Sequence, residues 1–221
     1  VLKKLDSQTE KYGSIAMQIW DLAEMGYLEE QSSSLLQETL SKEGFTIKKS
    51  VADIPTAFVA EYGSGLPIIA ILGEFDALPG LSQQAIPEKK SANGDAGHAC
   101  GHHLFGTASA AAAISVKQWM KNTKQKGTIR FYGCPAEEGG GAKVYMAREG
   151  LFDDVDIALH WHPGSQNAAS AAAALANISA KFRFYGISAH AAGAPEKRRS
   201  ALDGVEAMNA MVNMMREHVP Q

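Results

Sequence analysis

The chain has 221 residues, of which 45% are hydrophobic and 20% are charged, proportions typical of a globular protein. Its formal net charge of −3 provides no broad basic surface, which argues against nucleic acid as a partner. No apolar run approaches the roughly 20 residues that cross a bilayer, and the first residues lack the apolar region of a signal peptide. Both cysteines lie beside glycines in motif-like segments, so we expect reduced thiols and a cytoplasmic protein.

The hydrophobic pattern predicts an alternation of helices and strands through the first three quarters of the chain. In chain order, it predicts helices over 8–25 and 31–43, strands over 46–49, 57–62 and 67–72, a surface loop over 81–97, a helix over 106–120, a strand over 127–133, a helix over 141–149 and a strand over 156–159. The run 67–72 is apolar throughout, as in a buried central strand. Such alternation is typical of an α/β sheet.

The character of the sequence changes after His162, where proline, glycine and polar residues interrupt the pattern. We therefore expect a domain boundary near 165–174, with a first domain over 1–170 and a second over 171–221. In the second domain, the pattern predicts a strand over 178–186 and a helix over 200–218 with one apolar face. About 50 residues are at the lower edge of what folds alone, so this domain is expected to be incomplete.

The segment from Gly97 to His103 places three histidines and one of the two cysteines within seven residues. Imidazole nitrogen and thiolate sulfur are preferred ligands of borderline-soft divalent metals. Cys100 and His102 are two residues apart and would not face the same side of a helix, so a shared metal requires a loop or a helix entry. The alternative is a glycine-rich turn whose histidines only cap the next helix.

A pair of carboxylates, Glu137 and Glu138, follows the predicted strand 127–133 and precedes three glycines. Sheet enzymes place their chemistry at the carboxyl ends of strands. One carboxylate can hold a metal, while the other accepts a proton from the attacking water and later donates it to the leaving amine. The alternative is an acidic turn before a helix, where glutamate complements the helix dipole.

His160 and His162 follow another strand, and in extended backbone both side chains point to the same face. One of them could bind a metal while the other packs or forms hydrogen bonds. Asp76 also ends a strand, where a carboxylate could orient a ligand imidazole or simply belong to a turn. His190 lies in the second domain and could stabilise a developing oxyanion or cap a loop.

Four motifs occur in an order that resembles the M20 metallopeptidase and amidohydrolase family. They are Glu74 to Pro79, His98 to His102, Pro135 to Gly140, and Ser188 to Ala192. The resemblance covers essentially the whole chain. It implies a zinc-peptidase-like, three-layer α/β catalytic domain with an inserted α/β lid that also dimerises, and it implies that the chain ends inside this lid.

The same resemblance assigns roles by position in each motif. It implies four metal ligands, Cys100, His102, Glu138 and His160. His162 is the second choice for the last of these. Glu137 resembles the general base, Asp76 a residue that orients a ligand, and His190 a lid histidine that reaches a neighbouring subunit's site. His103 departs from the family pattern, in which an acidic or amide residue usually follows the Cys-Gly-His segment.

The function implied by the resemblance is hydrolysis of an amide bond in an N-acyl amino acid by two divalent ions, Zn²⁺ or Mn²⁺. The leading substrate is p-aminobenzoyl-glutamate, which would give p-aminobenzoate and glutamate. A dipeptidase or general aminoacylase of the same family is the first alternative, and a non-catalytic subunit is the second. We expect a homodimer or a heteromer with a related subunit, without nucleic acid or membrane as a partner.

Overall fold

A computed structural model describes residues 1–169 and 176–219 of the chain. The chain divides into two compact units, Val1–Asn167 and Ala168–Gln221. The predicted division after residue 170 falls within 170–175, outside the described residues. Among the described residues, no helix combines the length and apolar character needed to span a membrane.

The first unit alternates helices and strands. Its helices are α1 (Leu2–Asp6), α2 (Thr9–Leu22), α3 (Glu30–Lys42), α4 (His102–Thr123) and α5 (Ala142–Arg148). Its strands are β1 (Thr46–Lys49), β2 (Phe58–Ser64), β3 (Ile68–Gly73), β4 (Leu78–Pro79), β5 (Ala96–Gly97), β6 (Gly127–Gly133) and β7 (Ile157–Leu159). A short 3₁₀ helix, Val51–Asp53, precedes β2. The α/β fold predicted from the sequence is confirmed.

A five-stranded mixed sheet with strand order β1-β2-β6-β3-β7 forms the centre of this unit. β1 and β2 are antiparallel, as are β2 and β6, whereas β3 runs parallel to both β6 and β7. Gly73 pairs with Gly133, and Ile71 pairs with Leu159, so the three parallel strands end at the same edge. The segments that follow them, which carry the predicted carboxylates and histidines, therefore start side by side.

Alternate side chains of the strands fill the two faces of this sheet. On one face, Phe58 and Phe131 join the core that α2, α3 and α4 cover. On the other face, Val59 and Tyr132 pack with Met146 of α5. Helices on both faces of a largely parallel sheet make a three-layer α/β structure.

Several helix boundaries differ from the predictions, and two of these differences have a clear cause in the backbone. α4 begins at His102 rather than near 106, because Gly101 adopts φ 83° and its carbonyl accepts hydrogen bonds from the N–H groups of Leu104 and Phe105. α2 ends at Leu22 rather than at 25, because Ala23 adopts a left-handed φ of 43°. Both ends depend on backbone conformation that apolar periodicity does not encode.

The second unit contains α6 (Ala201–Met215), flanked by the 3₁₀ helices Pro195–Lys197 and Arg216–His218. The predicted strand over 178–186 is wrong. A strand requires a neighbour for its ladder of hydrogen bonds. Within the described part of this unit, only Ile187 and Arg199 form such a pairing, as an isolated bridge.

Candidate metal centre

The turn into α4 places Cys100 and His102 on either side of a glycine. Gly101 adopts φ 83°, and a Cβ added there would lie 3.1 Å from Cγ of Pro163. Both conditions favour glycine, because other L-residues rarely adopt this conformation and the neighbouring proline leaves little room for a Cβ. The pair therefore lies at a helix entry, the arrangement that a shared metal requires.

The imidazole of His102 is buried and held by Asp76. Its Nδ1 lies 2.9 Å from Oδ1 of Asp76 and 3.1 Å from the backbone oxygen of the same residue. With Nδ1 donating its proton to these acceptors, Nε2 carries the free lone pair. This buried Nε2 has no hydrogen-bond partner in the described structure, as expected of an imidazole nitrogen that can bind a metal.

Three further carboxylates surround Nε2 of His102. The nearest oxygens are Oε2 of Glu74 at 3.0 Å, Oε2 of Glu137 at 3.8 Å and Oε1 of Glu138 at 3.9 Å. The approach of Glu74 is close but lacks hydrogen-bond geometry, and Oε1 of Glu138 is buried and without a hydrogen-bond partner in the described structure. Lone pairs of nitrogen and oxygen that face one another in this way are stabilised by a metal cation or by a proton on Nε2. Burial alone would lower the pKa of His102, but the hydrogen bond and charge of Asp76, with the charges of Glu74 and Glu138, raise it.

The negative charge of this cluster changes the acidity of its members. Burial, with the charges of Glu74 and Glu138, raises the pKa of Glu137 above its ordinary value. Burial, a contact with Glu138 and nearby carboxylates raise the pKa of the Cys100 thiol to about 12. In the metal-free protein, the thiol is therefore protonated at neutral pH, and Glu137 is a stronger base than an exposed glutamate.

The segment after β7 contributes two histidines with different surroundings. Nδ1 of His162 donates to the backbone oxygen of Pro163 at 2.9 Å, so Nε2 carries the lone pair, and this Nε2 lies 3.3 Å from Sγ of Cys100. His160 packs edge-on against Phe105, and its Nε2 lies 3.5 Å from Oε1 of Glu74. Both histidines thus face the cluster, as the strand alternation predicts.

Two groups of side chains within the described residues have ligand atoms within 4.8 Å of one another. One group contains Cys100, His102 and His162, and the other contains Glu74, His102 and Glu137. Sulfur, nitrogen and oxygen donors in these groups fit a divalent cation of the zinc type. Glu138 and His160 belong to neither group, so their roles as ligands stay predictions.

His190 lies in the second unit, where its Nδ1 accepts hydrogen bonds from the N–H groups of Ala192 at 3.2 Å and Gly193 at 2.9 Å. Its predicted role at the oxyanion also stays a prediction. Two side chains of the cluster were not singled out from the sequence. Glu74 stands two residues before Asp76, a spacing that could have suggested a shared face, whereas Lys143, whose Nζ contacts Oε1 of Glu74, has no distinguishing signal.

The sequence of this chain is similar to those of known peptidases and hydrolases. Residues 70–215 match Peptidase family M20/M25/M40. The chain is 49% identical over 217 residues to a subunit of the p-aminobenzoyl-glutamate hydrolase of Escherichia coli (strain K12), covering 97% of this chain and 45% of that protein. It is 28% identical over 229 residues to the Xaa-Arg dipeptidase of Mus musculus, covering 98% and 49%. The chain thus spans about half the length of these relatives.

Among solved structures, the fold is similar to that of the Bacillus subtilis YXEP protein, described as a dinuclear metal-binding peptidase of the M20 family. The TM-score is 0.60 at 24% identity, over 70% of this chain and 43% of that one, which is a likeness of fold. Together with the match over 70–215, the similarity to the Escherichia coli protein settles the classification. The chain belongs to the M20/M25/M40 family of peptidases.

Proposed function

We propose that the full-length protein hydrolyses the amide bond of an N-acyl amino acid in a metal-dependent reaction, with p-aminobenzoyl-glutamate as the preferred substrate and p-aminobenzoate and glutamate as products. The observation that carries this proposal is the unpartnered Nε2 of His102, surrounded by carboxylates at the edge where three parallel strands end. The choice of substrate is supported by the 49% identity to the p-aminobenzoyl-glutamate hydrolase of Escherichia coli.

In the proposed site, two divalent ions are held by Cys100, His102, Glu138 and His160. Bound there, they would lower the pKa of water and polarise the amide carbonyl. Asp76 holds the imidazole of His102 in the tautomer that leaves Nε2 free to coordinate. The thiolate favours zinc over manganese.

Glu137 is the general base of the proposed mechanism. Its side chain is 44% exposed, so a water and a substrate can reach Oε2, while the same oxygen lies 3.8 Å from His102. Oε2 takes the proton of the attacking water and passes it to the nitrogen of the departing amine. His190, by the family resemblance, would reach a neighbouring subunit's site and stabilise the oxyanion there.

The role of Glu137 is tested in the full-length protein loaded with zinc or manganese. Glu137→Ala should reduce kcat by about 10²–10⁴-fold, the usual contribution of a general base, with bound metal unchanged by elemental analysis. Glu149→Ala, an exposed glutamate at the end of α5, serves as the matched control and should leave kcat intact. Retained turnover in Glu137→Ala would remove it from this role.

The substrate is tested by comparing kcat/KM for p-aminobenzoyl-glutamate, dipeptides and N-acetyl amino acids. Preference for dipeptides would support the second candidate function, a dipeptidase, which the 28% identity to the Xaa-Arg dipeptidase favours. Absence of both bound metal and hydrolysis in the full-length protein would instead indicate a non-catalytic subunit.

The identity of the histidine ligand is tested by zinc analysis of His160→Ala and His162→Ala. We propose His160, by position in the family motif, whereas the short distance between His162 and Cys100 supports the alternative. The variant that loses zinc identifies the ligand. Loss in both variants would indicate that each histidine binds one of two ions.

We further propose that residues 1–170 form the N-terminal part of the catalytic domain and that residues 171–221 begin the lid. A homodimer or a heteromer with a related subunit is supported by the Escherichia coli relative, which is itself one subunit of a hydrolase. The free thiols Cys100 and Cys134 support a cytoplasmic location. Light scattering tests the assembly state in two preparations of the full-length protein. One is purified alone, and the other is purified together with any partner subunits from the same cells.

A further inference from the structure

The loop that carries the carboxylate pair contains an unfavourable backbone conformation. This acidic loop, residues 135–141, joins β6 to α5, and its Ala136 adopts φ 52° without being glycine. A left-handed conformation is unfavourable for an L-residue and persists only where surrounding contacts hold it. Ala136 directly precedes Glu137, so its conformation sets the direction of the backbone and the position of the carboxylate pair that follows.

Glu29, which lies immediately before α3, provides such a contact. Its side chain is fully buried, and Oε1 accepts a hydrogen bond of 2.7 Å from the backbone N–H of Ala136. Its other oxygen, Oε2, accepts one of 3.1 Å from the hydroxyl of Thr56. A carboxyl group is rarely buried in this way unless its partners compensate for the lost water.

Two further side-chain contacts hold the acidic loop at other points, and the carbonyl of Ala136 itself accepts backbone hydrogen bonds from the N–H groups of Gly140 and Gly141. The hydroxyl of Tyr27 donates to the backbone oxygen of Gly140 at 2.7 Å, and Oδ2 of Asp76 accepts from the N–H of Glu138 at 2.9 Å. These contacts hold the far end of the loop and the second carboxylate residue. Within the described structure, the side-chain contact just before Glu137 is the one made by Glu29.

We propose that Glu29 is a positioning residue, which holds Ala136 in its left-handed conformation and thereby directs Glu137 and Glu138 into the metal centre. The inference rests on the proposed function for its effect on catalysis. Its effect on metal binding is independent of the substrate. Glu29 itself acts through the backbone of Ala136 and takes no part in the chemical step.

By this proposal, the loop requires a hydrogen-bond acceptor at the position of the Glu29 side-chain oxygen, and it does not require a negative charge there. Burial raises the pKa of Glu29, so its site disfavours the charged form. Glu29→Gln keeps an oxygen for the N–H of Ala136 and lets Thr56 accept from the amide. Glu29→Asp keeps the charge but withdraws the carboxylate by the length of about one carbon–carbon bond. Glu29→Gln therefore tests the loss of the charge at the same side-chain length, and Glu29→Asp tests a shorter side chain that keeps the charge.

The test measures kcat and KM for amide hydrolysis by the zinc-loaded full-length protein. We expect Glu29→Gln to retain kcat within about threefold, and Glu29→Asp to lose about 10–100-fold in kcat with KM little changed, as for a misplaced catalytic group. Glu30→Asp is the matched control, because Glu30 is the exposed next residue, and it should behave as the unaltered protein. A reversed order, with aspartate active and glutamine impaired, would overturn the proposal.

A second measurement uses cobalt(II), whose visible spectrum reports the ligands of the bound ion. We expect Glu29→Asp to weaken cobalt affinity by about tenfold and to alter the spectrum, because Glu138 moves with the loop, whereas Glu29→Gln matches the unaltered protein. Unchanged affinity and spectrum in Glu29→Asp would overturn the proposal even if no amide is cleaved. Failure of the unaltered protein to hydrolyse any amide would count against the proposed function alone.

Stability is measured alongside, since a purely structural residue would lower the free energy of unfolding without changing kcat of the folded enzyme. If Glu29→Asp fails to fold, Thr56→Val provides the test. It keeps the glutamate and removes its second partner. We expect a several-fold loss in kcat with KM unchanged, and an unaltered kcat would contradict the positioning role.

Discussion

Asp76 and His102 are joined by a 2.9 Å hydrogen bond between Oδ1 and Nδ1, and both side chains are fully buried. The second oxygen of Asp76 accepts from the N–H of Glu138. Asp76→Asn offers one oxygen for these two donors, so one of them loses its acceptor. We expect zinc affinity to fall about 10–100-fold, the usual cost of losing such a support. Competition with a chromophoric zinc chelator measures this change.

The control for this prediction is Asp95→Asn, an exposed aspartate in the loop before β5. It removes the same charge from an exposed side chain and should leave zinc affinity unchanged. If Asp76→Asn binds zinc as tightly as the unaltered protein, the tautomer of His102 does not depend on this carboxylate.

The sequence was sufficient to predict the elements that bring this site together. Local patterns located the strands that end before Asp76, Glu137 and His160, and parallel strands place their ends at one edge. Local pattern could not choose between His160 and His162, because a period of two places both on the same face. That choice depends on the contact between His162 and Cys100, which lie 62 residues apart.

The supporting contacts were beyond sequence reasoning for the same reason. Glu29 lies 107 residues from Ala136, and Lys143 lies 69 residues from Glu74. Nothing near these residues in the sequence marks them, since buried charges look like surface charges until their partners are known. The predicted strand over 178–186 failed for a related reason, because its pattern says nothing about a partner strand.

Gly101 provides a second prediction, since its conformation and its contact with Pro163 both disfavour a side chain. Gly101→Ala should lower the free energy of unfolding by about 1–2 kcal/mol and also weaken zinc binding, because Cys100 and His102 flank it. Urea unfolding and zinc competition measure the two effects.

The matched control is Gly13→Ala. Gly13 is exposed inside α2, and a Cβ there would meet nothing within 4 Å. This change should raise stability by about 0.5–1 kcal/mol, since alanine favours helix interiors. If Gly101→Ala and Gly13→Ala change the free energy of unfolding equally, the backbone at residue 101 is unstrained.

The raised pKa of Cys100 predicts that metal binding releases a proton. At about 12, this pKa keeps the thiol protonated over the physiological range, whereas a bound metal requires the thiolate. The contribution of Cys100 should therefore make zinc affinity rise about tenfold per pH unit. Calorimetry in buffers with different ionisation enthalpies counts the protons released, and Cys100→Ala should remove one of them.

Cys134→Ala is the control for this count. Burial also raises the pKa of the Cys134 thiol to about 12, but its Sγ donates to the backbone oxygen of Tyr132 and belongs to neither ligand group. The number of protons released should not change in this variant. An equal loss in Cys100→Ala and Cys134→Ala would mean that the protons come from elsewhere.

Away from the metal centre, the pair Arg130 and Asp154 predicts a pH-dependent contribution to stability. Arg130 donates from Nη1 and Nη2 to the two oxygens of Asp154 at 2.6 and 2.8 Å, and these contacts lower the pKa of Asp154. A lowered pKa stabilises the fold above the unfolded value of about 3.9, and this stability is lost as pH falls through the folded value. Asp154→Asn should therefore cost about 0.5–1 kcal/mol near neutral pH and progressively less in acid. Urea unfolding across this pH range measures the free energy of unfolding of each variant. The exposed Asp153→Asn serves as the control. If Asp154→Asn costs the same at every pH, the ion pair is not the cause.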